Sequence, residues 1–303
     1  MGADASGWEF IDDRGAVLRL ARRPRRVAAY VRAGAALLDL GVVPVAVYGS
    51  GHDDAGLDPV KAGGLAEAGV PYLGPGRLLT GGAGGALGAV RADLVVDVTY
   101  DGKSAYAIDE AVVDGLGVPL VALSVGSEVA LPRILERFAG VAETLRDGAG
   151  ASARAGGSVG AGGAELGAAD VGAAEDAVRT VAGGAAVVAL SPAGGEQVHV
   201  ARPQAWPELA RLRELGVRLV EPGPGVGTGW LTTDWESAAL LGADVVLVDS
   251  RANAVRVGEG WEGCPAVWRE AVRSARVVAW NPETPPSAGA FAGFFREVAA
   301  ALA

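Results

Sequence analysis

Cysteine and histidine are scarce in this sequence, and their scarcity excludes several kinds of site. Cys264 is the single cysteine among 303 residues, which rules out a disulfide framework and any site that needs two thiolates. The two histidines, His52 and His199, lie too far apart for the spacings of zinc-binding motifs. We therefore expect no metal site and no bound cofactor.

Dense basic charge and long apolar runs are also missing. The net charge is −10, which argues against nucleic acid or an anionic membrane as a partner, because each requires a basic face. No apolar run reaches the roughly 20 residues of a membrane-spanning helix. The first residues, MGADASGWEF, lack the basic start and apolar segment of an export signal. We expect an extracytoplasmic, membrane-associated protein if a leader has been removed, and a cytoplasmic one if Met1 is the native start.

Short apolar runs alternate with helical patterns along most of the chain. Half of the residues are hydrophobic, so a packed core is expected. The runs at residues 27–31, 94–98 and 120–124 show no polar alternation, which is typical of parallel strands covered on both faces. The pattern predicts an α/β fold.

Composition changes abruptly in the middle of the chain. Residues 148–174 are almost entirely small, and helical spacing then continues to Val181. We predict an N-terminal α/β lobe at 1–147, a Gly/Ala-rich insert with an inter-lobe helix at 148–184, and a C-terminal α/β lobe at 185–303. Ligands of open parallel sheets bind beyond the carboxyl ends of the strands. We therefore expect a ligand-binding cleft where the strand ends of two lobes face each other.

One stretch resembles a phosphate-binding P-loop without satisfying its spacing. Gly102, Lys103 and Ser104 follow a predicted strand, but Asp97 stands where a P-loop has its first glycine. A carboxylate there repels phosphate. We instead expect the strand to end at a ligand-binding edge.

A second stretch, EPGPGVGTGW at residues 221–230, contains part of a dinucleotide-binding pattern. Gly225 and Gly227 have the first spacing, but Trp230 stands at the third position, which requires a small residue. The sequence predicts a flexible loop at the mouth of a cleft. For Trp230 in this loop and Trp280 at a strand end, core packing and stacking on a flat ligand are both open.

The segment around Ser124 permits a minority hypothesis. Ala122 to Gly126 follows a strand and precedes a helix, as in the nucleophile elbow of serine hydrolases with Ala in place of the first Gly. His199 is the one histidine that follows, and no acidic residue is placed to orient it. A hydrolase using Ser124 therefore stays a minor alternative.

An ordered set of short motifs resembles class III solute-binding proteins of ABC importers, the receptors for ferric siderophores, vitamin B12 and haem. Near the N-terminus the chain reads DDRG, then PRRVAAYVRAG, then LGVVPVAV. RADLVVDVTYD, WESAALLGADVVLVDS and the closing VVAWNPETPPSAGAFAGFFREVAAAL resemble later segments of that family. The matching N-terminal residues are Asp12, Asp13, Arg14, Gly15, Pro24, Arg26, Val27, Ala28, Leu40, Gly41, Pro44 and Val45.

The resemblance implies two Rossmann-like lobes joined by one long helix, a small ligand held between them, and no catalysis. It also implies a set of ligand-contacting residues. From the first lobe these are Arg32, Tyr48, Ser50, Thr99, Tyr100, Asp101 and Ser124, and from the second lobe Trp230, Arg251 and Trp280. An arginine fork suits carboxylate or catecholate oxygens. The implied function is capture of a ferric siderophore or similar chelate by a monomer.

Docking on a membrane permease is implied only in part. Family members carry one exposed Glu on each lobe, and Glu236 matches the one of the second lobe. The corresponding position in the first lobe falls near Gly85, and a Glu is absent there. The alternative function is therefore that of a cytoplasmic relative with the same fold, which binds or acts on a small metabolite without docking.

Overall fold

The structure is a computed structural model that describes residues 7–53, 56–79, 85–146, 161–256 and 261–303. The part of the predicted Gly/Ala-rich insert before residue 161 lies outside these residues. The chain divides into two compact units. Unit 1 comprises the described residues of Met1–Ala168 and Thr284–Gly289, and unit 2 those of Ala169–Glu283 and Ala290–Ala303.

Unit 1 contains a parallel sheet of five strands, with a separate antiparallel hairpin before it. The hairpin strands are β1 (Trp8–Ile11) and β2 (Val17–Leu20). The sheet strands are β3 (Val27–Tyr30), β4 (Ala46–Gly49), β5 (Tyr72–Pro75), β6 (Leu94–Thr99) and β7 (Leu120–Ser124), in the spatial order β5-β4-β3-β6-β7. The helices are α1 (Val31–Asp39), α2 (Pro59–Ala62), α3 (Ala86–Ala89), α4 (Glu110–Leu116) and α5 (Leu131–Leu145).

The apolar runs form the strands because both faces of the sheet are covered. Every residue of β3 and β6 is buried, as the lack of polar alternation predicted. Helix α1 packs closely on β4 at Gly34, where a Cβ would lie 2.5 Å from Cγ1 of Val47. Helix α5 buries an apolar stripe that includes Ile134 and Phe138. The carboxyl ends of the strands stay at one edge of the sheet.

The DDRG motif joins the hairpin to the edge strand β7. Asp12 Oδ1 accepts the N–H of Arg14 at 3.0 Å, which closes the turn, and Oδ2 accepts the N–H of Ala122 at 3.2 Å. Asp13 Oδ2 accepts the N–H of Ser124 at 2.7 Å, and the Asp13 N–H donates to the Ala122 carbonyl at 3.1 Å. Gly15 adopts φ +84° to complete the turn. The motif therefore covers the open edge of the sheet.

Unit 2 contains a mixed sheet of six strands. Strands β10, β12 and β13 lie parallel to β8, while β9 and β11 form an antiparallel extension. The strands are β8 (Ala186–Pro192), β9 (Gln197–Ala201), β10 (Arg218–Leu219), β11 (Trp230–Asp234), β12 (Val245–Asp249) and β13 (Arg276–Trp280). The helices are α7 (Pro207–Glu214), α8 (Trp235–Ala239), α9 (Ala266–Ala271) and α10 (Ala288–Leu302). One long helix, α6 (Ala161–Val181), contains the boundary between the units.

The prediction of an α/β fold with parallel sheets is confirmed, and the placement of Trp230 in a loop is wrong. Trp230 is not a loop residue, since it begins β11 and is paired with Ala201. The extension of β9 and β11 was missed because antiparallel partners are chosen by tertiary contacts that local composition does not encode. The proposed lobe boundaries stay a prediction.

Candidate functional site

Four segments of unit 1 bring predicted ligand-contacting residues to the carboxyl edge of its parallel sheet. Arg32 follows β3, Ser50 follows β4, and Thr99 ends β6. Thr99 lies beside Ser124, the last residue of β7. This edge is where open parallel sheets bind ligands. Only some of the side chains on it face outward.

Arg32 is almost fully buried at the start of α1. Its Nε donates to the carbonyl of Thr284 at 3.0 Å, and its Nη1 donates to the Tyr100 hydroxyl at 3.2 Å. Thr284 belongs to the short return segment of unit 1. Arg32 thus connects this segment to the phenol ring that follows β6.

Tyr48 is fully buried and points into the core rather than toward the edge. Its hydroxyl donates to Oδ2 of Asp97 at 3.1 Å. The same carboxyl also accepts the backbone N–H groups of Ala107 and Ile108 at 3.2 and 3.1 Å. Burial raises the pKa of Asp97 to about 7, although these hydrogen bonds act in the opposite direction. A ligand contact by Tyr48 stays a prediction; the structure gives it a supporting position.

The turn after β6 is built from polar residues that bond to one another. Asp101 accepts hydrogen bonds from the Thr99 hydroxyl at 3.0 Å and from the N–H of Lys103 at 2.9 Å. Backbone N–H groups, chiefly that of Ser104, hold the pKa of the Asp101 carboxyl well below its usual value. Tyr100, in contrast, leaves 40% of its surface exposed. The phenol is therefore the exposed aromatic surface of this turn.

Ser50 and Ser124 form hydrogen bonds that stabilise the backbone at this edge of the sheet. The Ser50 hydroxyl donates to Asp53 at 2.8 Å, and the Ser124 N–H donates to Asp13. A nucleophile elbow requires a hydrogen bond between its serine and a histidine. Within the described residues Ser124 has no such bond. Gly126 has another reason to be glycine, because a Cβ there would lie 2.4 Å from the Tyr100 carbonyl oxygen.

In unit 2, Arg251 lies between two carboxylates, those of Asp249 and Glu283, which the sequence did not indicate as its partners. Its Nη2 lies 2.7 Å from Asp249 Oδ2, and its Nη1 lies 3.0 Å from Glu283 Oε1. Ser191 also donates to Asp249, at 2.8 Å. Burial alone would lower the pKa of Arg251, but the bonds and charges of Asp249 and Glu283 raise it. An anionic ligand at Arg251 must therefore compete with two carboxylates.

Three tryptophans of unit 2 form a triangle. The ring centroids of Trp206 and Trp230 lie 4.9 Å apart, those of Trp206 and Trp280 5.4 Å apart, and those of Trp230 and Trp280 5.6 Å apart. Trp280 is fully buried, and its indole N–H donates to Glu208 at 3.0 Å. Trp230 is only half-buried. Trp280 thus packs in the core, and Trp230 offers surface for stacking.

The glycine-rich loop before β11 is held in place by Arg202. The guanidinium donates to the carbonyls of Gly223, Gly225 and Gly227 at 3.4, 3.0 and 3.0 Å. The expected flexible loop is therefore a structured one. It borders a cavity of about 750 Å³ lined by His199 and the segment from Gly225 to Thr232.

Glu236 lies exposed in the first turn of α8. A second cavity of about 680 Å³ adjoins it, and Glu196 and Asp234 also line this cavity. In unit 1, Gly85 precedes α3. A role for Glu236 in docking stays a prediction.

Two classes of feature are not found in the part of the chain that the structure describes. It contains no group of three or more His, Cys, Asp or Glu side chains arranged to hold a metal ion. Its helices also lack the combination of length and apolar character needed to cross a membrane.

With this geometry in place, solved structures provide the comparison. DesE, a ferric-siderophore receptor protein from Streptomyces coelicolor, has a TM-score of 0.79 and 25% sequence identity over 97% of this chain and 97% of its own. FhuD from Vibrio cholerae, a siderophore-binding protein solved with Fe³⁺-Desferal, has a TM-score of 0.59 and 16% identity over 92% and 97%. The resemblance to class III solute-binding proteins is confirmed.

Haem-binding proteins share the class III fold. RhuT from Roseiflexus sp. RS-1, a periplasmic heme-binding protein, has a TM-score of 0.59 and 16% identity over 92% of this chain and 97% of its own. No protein-family model matches the sequence, and no curated protein matches it. The class III likeness therefore rests on three-dimensional similarity together with the ordered sequence motifs.

Proposed function

We propose that this protein is the substrate-binding component of an ABC importer and captures a ferric siderophore or a similar chelate outside the cytoplasm. The observation that carries the proposal is its similarity to DesE over nearly the whole length of both chains. The protein acts as a monomeric receptor and performs no catalysis. Glu236 is its proposed contact with the permease.

The exposed chemistry at the sheet edges agrees with such a ligand. Tyr100 in unit 1 and Trp230 in unit 2 present aromatic surface, and ferric siderophores have an apolar, partly aromatic body. Arg32 supplies a guanidinium beside Tyr100, and Thr99, Asp101 and Ser124 shape the same edge. The expectation that both units contact one ligand stays a prediction.

An alternative function follows from the residue at the docking position of the first lobe. Gly85 occupies the region where an importer component of this class carries a docking Glu. A cytoplasmic relative that binds or acts on a small metabolite has no need of that residue. Reconstitution with a cognate permease distinguishes the two functions, because only a receptor stimulates its ATPase activity.

Calorimetric titration with Fe³⁺-Desferal and with one ferric catecholate tests the proposal. We expect at least one chelate to bind with micromolar or tighter affinity, with metal-free Desferal and haem as comparison ligands. Binding of haem alone would replace the siderophore assignment with a haem assignment. Failure of all three iron-containing ligands to bind would overturn the importer proposal.

A further inference from the structure

The side chain of Arg202 forms hydrogen bonds to several residues of one glycine-rich loop. Between α7 and β11, residues 223–229 contain glycine at alternating positions, and three of those glycines direct their carbonyls at one guanidinium. The backbone N–H of Arg202 also donates to the Gly229 carbonyl at 2.9 Å. The Trp206 indole N–H reaches the same carbonyl at 3.0 Å. Side chains outside the loop therefore determine its shape.

The direction of the carbonyls determines the direction of the amides. A trans peptide points its C=O and N–H in opposite directions. The N–H groups of Val226 and Thr228 share peptides with the carbonyls of Gly225 and Gly227, so both point away from Arg202. Within the described residues neither N–H donates to an acceptor. The loop thus offers two amide donors to an external acceptor.

The cavity that this loop borders has the complementary chemistry. Its lining comprises His199 and the segment from Gly225 to Thr232, and none of these residues is acidic, although the protein carries a net charge of −10. His199 Nδ1 lies 2.9 Å from the Thr232 hydroxyl, which fixes the imidazole against the wall. Trp230 adds an aromatic ring to the same lining. Backbone N–H groups that turn conformations leave without an internal acceptor bind anionic or acceptor oxygens.

Gly227 is required by this shape, whereas Gly223 is not. Gly227 has φ +108°, and a Cβ there would lie 2.3 Å from the Trp230 carbonyl oxygen. A Cβ on Gly225 would lie 2.3 Å from Leu231 Cδ1. A Cβ on Gly223 would meet nothing within 4 Å. The chain therefore provides a disruptive substitution and a matched neutral one in the same loop.

We propose that Arg202 is a positioning residue. It holds the 223–229 loop so that the N–H groups of Val226 and Thr228, together with the Trp230 ring, form a subsite for an oxygen-rich ligand. The ligand part of this inference rests on the proposed function, whereas the positioning part does not. In this role Arg202 acts through the loop, whose carbonyls accept hydrogen bonds from all three nitrogens of its guanidinium.

Hydrogen exchange of the free protein tests the positioning role without any ligand. In Arg202→Ala and Gly227→Ala we expect the backbone N–H at position 202 and the indole N–H of Trp206, which both donate to the Gly229 carbonyl, to exchange about tenfold faster or more. Arg202→Lys, which cannot reach three carbonyls at once, should lie between these variants and wild type. Gly223→Ala should match wild type. Unchanged exchange in Arg202→Ala would overturn the positioning role.

Titration with Fe³⁺-Desferal tests the ligand part on the same variants. We expect Arg202→Ala and Gly227→Ala to weaken binding about tenfold while both stay folded by circular dichroism at the titration temperature, with Gly223→Ala and the surface variant Arg273→Ala as controls. Faster exchange with unchanged affinity would overturn the subsite while leaving the proposed function intact. No binding by wild type would overturn the subsite together with the proposed ligand, while the exchange data would still decide the role of Arg202.

Discussion

The hydroxyl of Tyr48 donates a hydrogen bond to the carboxyl of Asp97 at 3.1 Å, and both side chains are fully buried. Asp97 lies within β6 and is shielded from solvent. Its carboxyl also accepts hydrogen bonds from the N–H groups of Ala107 and Ile108. It thereby fixes the segment that returns from the Tyr100 turn. A buried titratable group is thus built into the support of the candidate site in unit 1.

Asp97 should make stability depend on pH. Burial raises its pKa to about 7 from 3.8, so the folded state holds a proton that the unfolded chain releases. The stabilisation is fully present below pH 3.8 and is lost as the pH rises through about 7. Three pKa units correspond to about 4 kcal/mol as an upper value. Relative to Asp97→Asn, wild type should lose up to that much unfolding free energy between pH 4 and pH 8.

Urea denaturation across this pH range checks the effect. Asp97→Asn keeps an acceptor for the N–H groups of Ala107 and Ile108 but cannot ionise. Asp114→Asn, an exposed position on α4, controls for loss of a carboxyl. Parallel pH profiles for wild type and Asp97→Asn would show that the buried carboxyl does not titrate in this range.

The sequence predicted the strands of unit 1 well because burial on both faces leaves a local signature. The run at residues 120–124 has the same bounds as β7, and Asp97, which argued against a P-loop, lies buried within β6. The partners of Asp97 were not predictable, since Tyr48 lies 49 positions away and meets it only through the order of β4, β3 and β6. Local patterns indicate which residues are buried but not which polar groups they meet.

The Arg251 ion pairs predict that Arg251→Ala alone cannot separate a role in the fold from a role in ligand binding. Arg251→Ala leaves the buried Asp249 carboxylate without its cation, and we expect a loss of about 3 kcal/mol in unfolding free energy. Combining it with Asp249→Asn should recover about half of this loss, because no uncompensated charge then remains at that position. Arg273→Ala, which removes an exposed pair with Glu270, should cost at most about 1 kcal/mol.

Chemical denaturation of the three variants, with chelate titration of those that fold, checks this expectation. If the double variant is stable and still binds Fe³⁺-Desferal as wild type does, Arg251 supports the fold rather than the ligand. A double variant as unstable as Arg251→Ala would show that the cost has another source.

Trp230 and Trp280 should separate stacking from packing, the two roles that the sequence left open. Trp280→Phe removes a buried hydrogen bond to Glu208, so we expect it to lose about 1–3 kcal/mol of stability with little change in ligand affinity. Trp230→Ala should show a smaller loss of stability and a clear loss of chelate binding. Trp268→Phe is the control, because the Trp268 indole N–H has no partner in the described residues.

Thermal denaturation and calorimetric titration measure both effects. Equal loss of affinity in Trp230→Ala and Trp280→Phe would contradict the division of roles. Unchanged affinity in Trp230→Ala would remove Trp230 from the ligand site. A similar destabilisation in Trp268→Phe and Trp280→Phe would show that the bond to Glu208 contributes little.

The shape of the glycine-rich loop in unit 2 could not be predicted from local sequence patterns. Its glycines predicted a flexible loop, whereas the structure shows a loop with a defined shape in which Gly227 adopts positive φ. What restrains the loop is Arg202, 21 or more positions earlier, and no spacing rule links an arginine to backbone carbonyls. The sequence carried only a modest signal, an arginine directly after the alternating segment QVHVA, which forms β9.

The Asp13 carboxylate predicts how strongly the hairpin supports β7. It accepts the Ser124 N–H at 2.7 Å and the Arg137 Nε at 2.6 Å. Asp13→Ala leaves the edge-strand N–H without an acceptor and leaves the Arg137 guanidinium with its bond to the Ile11 carbonyl but no carboxylate. We expect a loss of about 2 kcal/mol, whereas Asp114→Ala at an exposed site should stay within about 0.5 kcal/mol. Ser124→Ala keeps the backbone donor and should be nearly neutral.

Ser124 has no hydrogen bond to a histidine within the described residues, so an organophosphorus reagent should leave it unlabelled in mass spectrometry. Labelling at Ser124 that Ser124→Ala abolishes would restore the hydrolase hypothesis and count against a purely ligand-binding function.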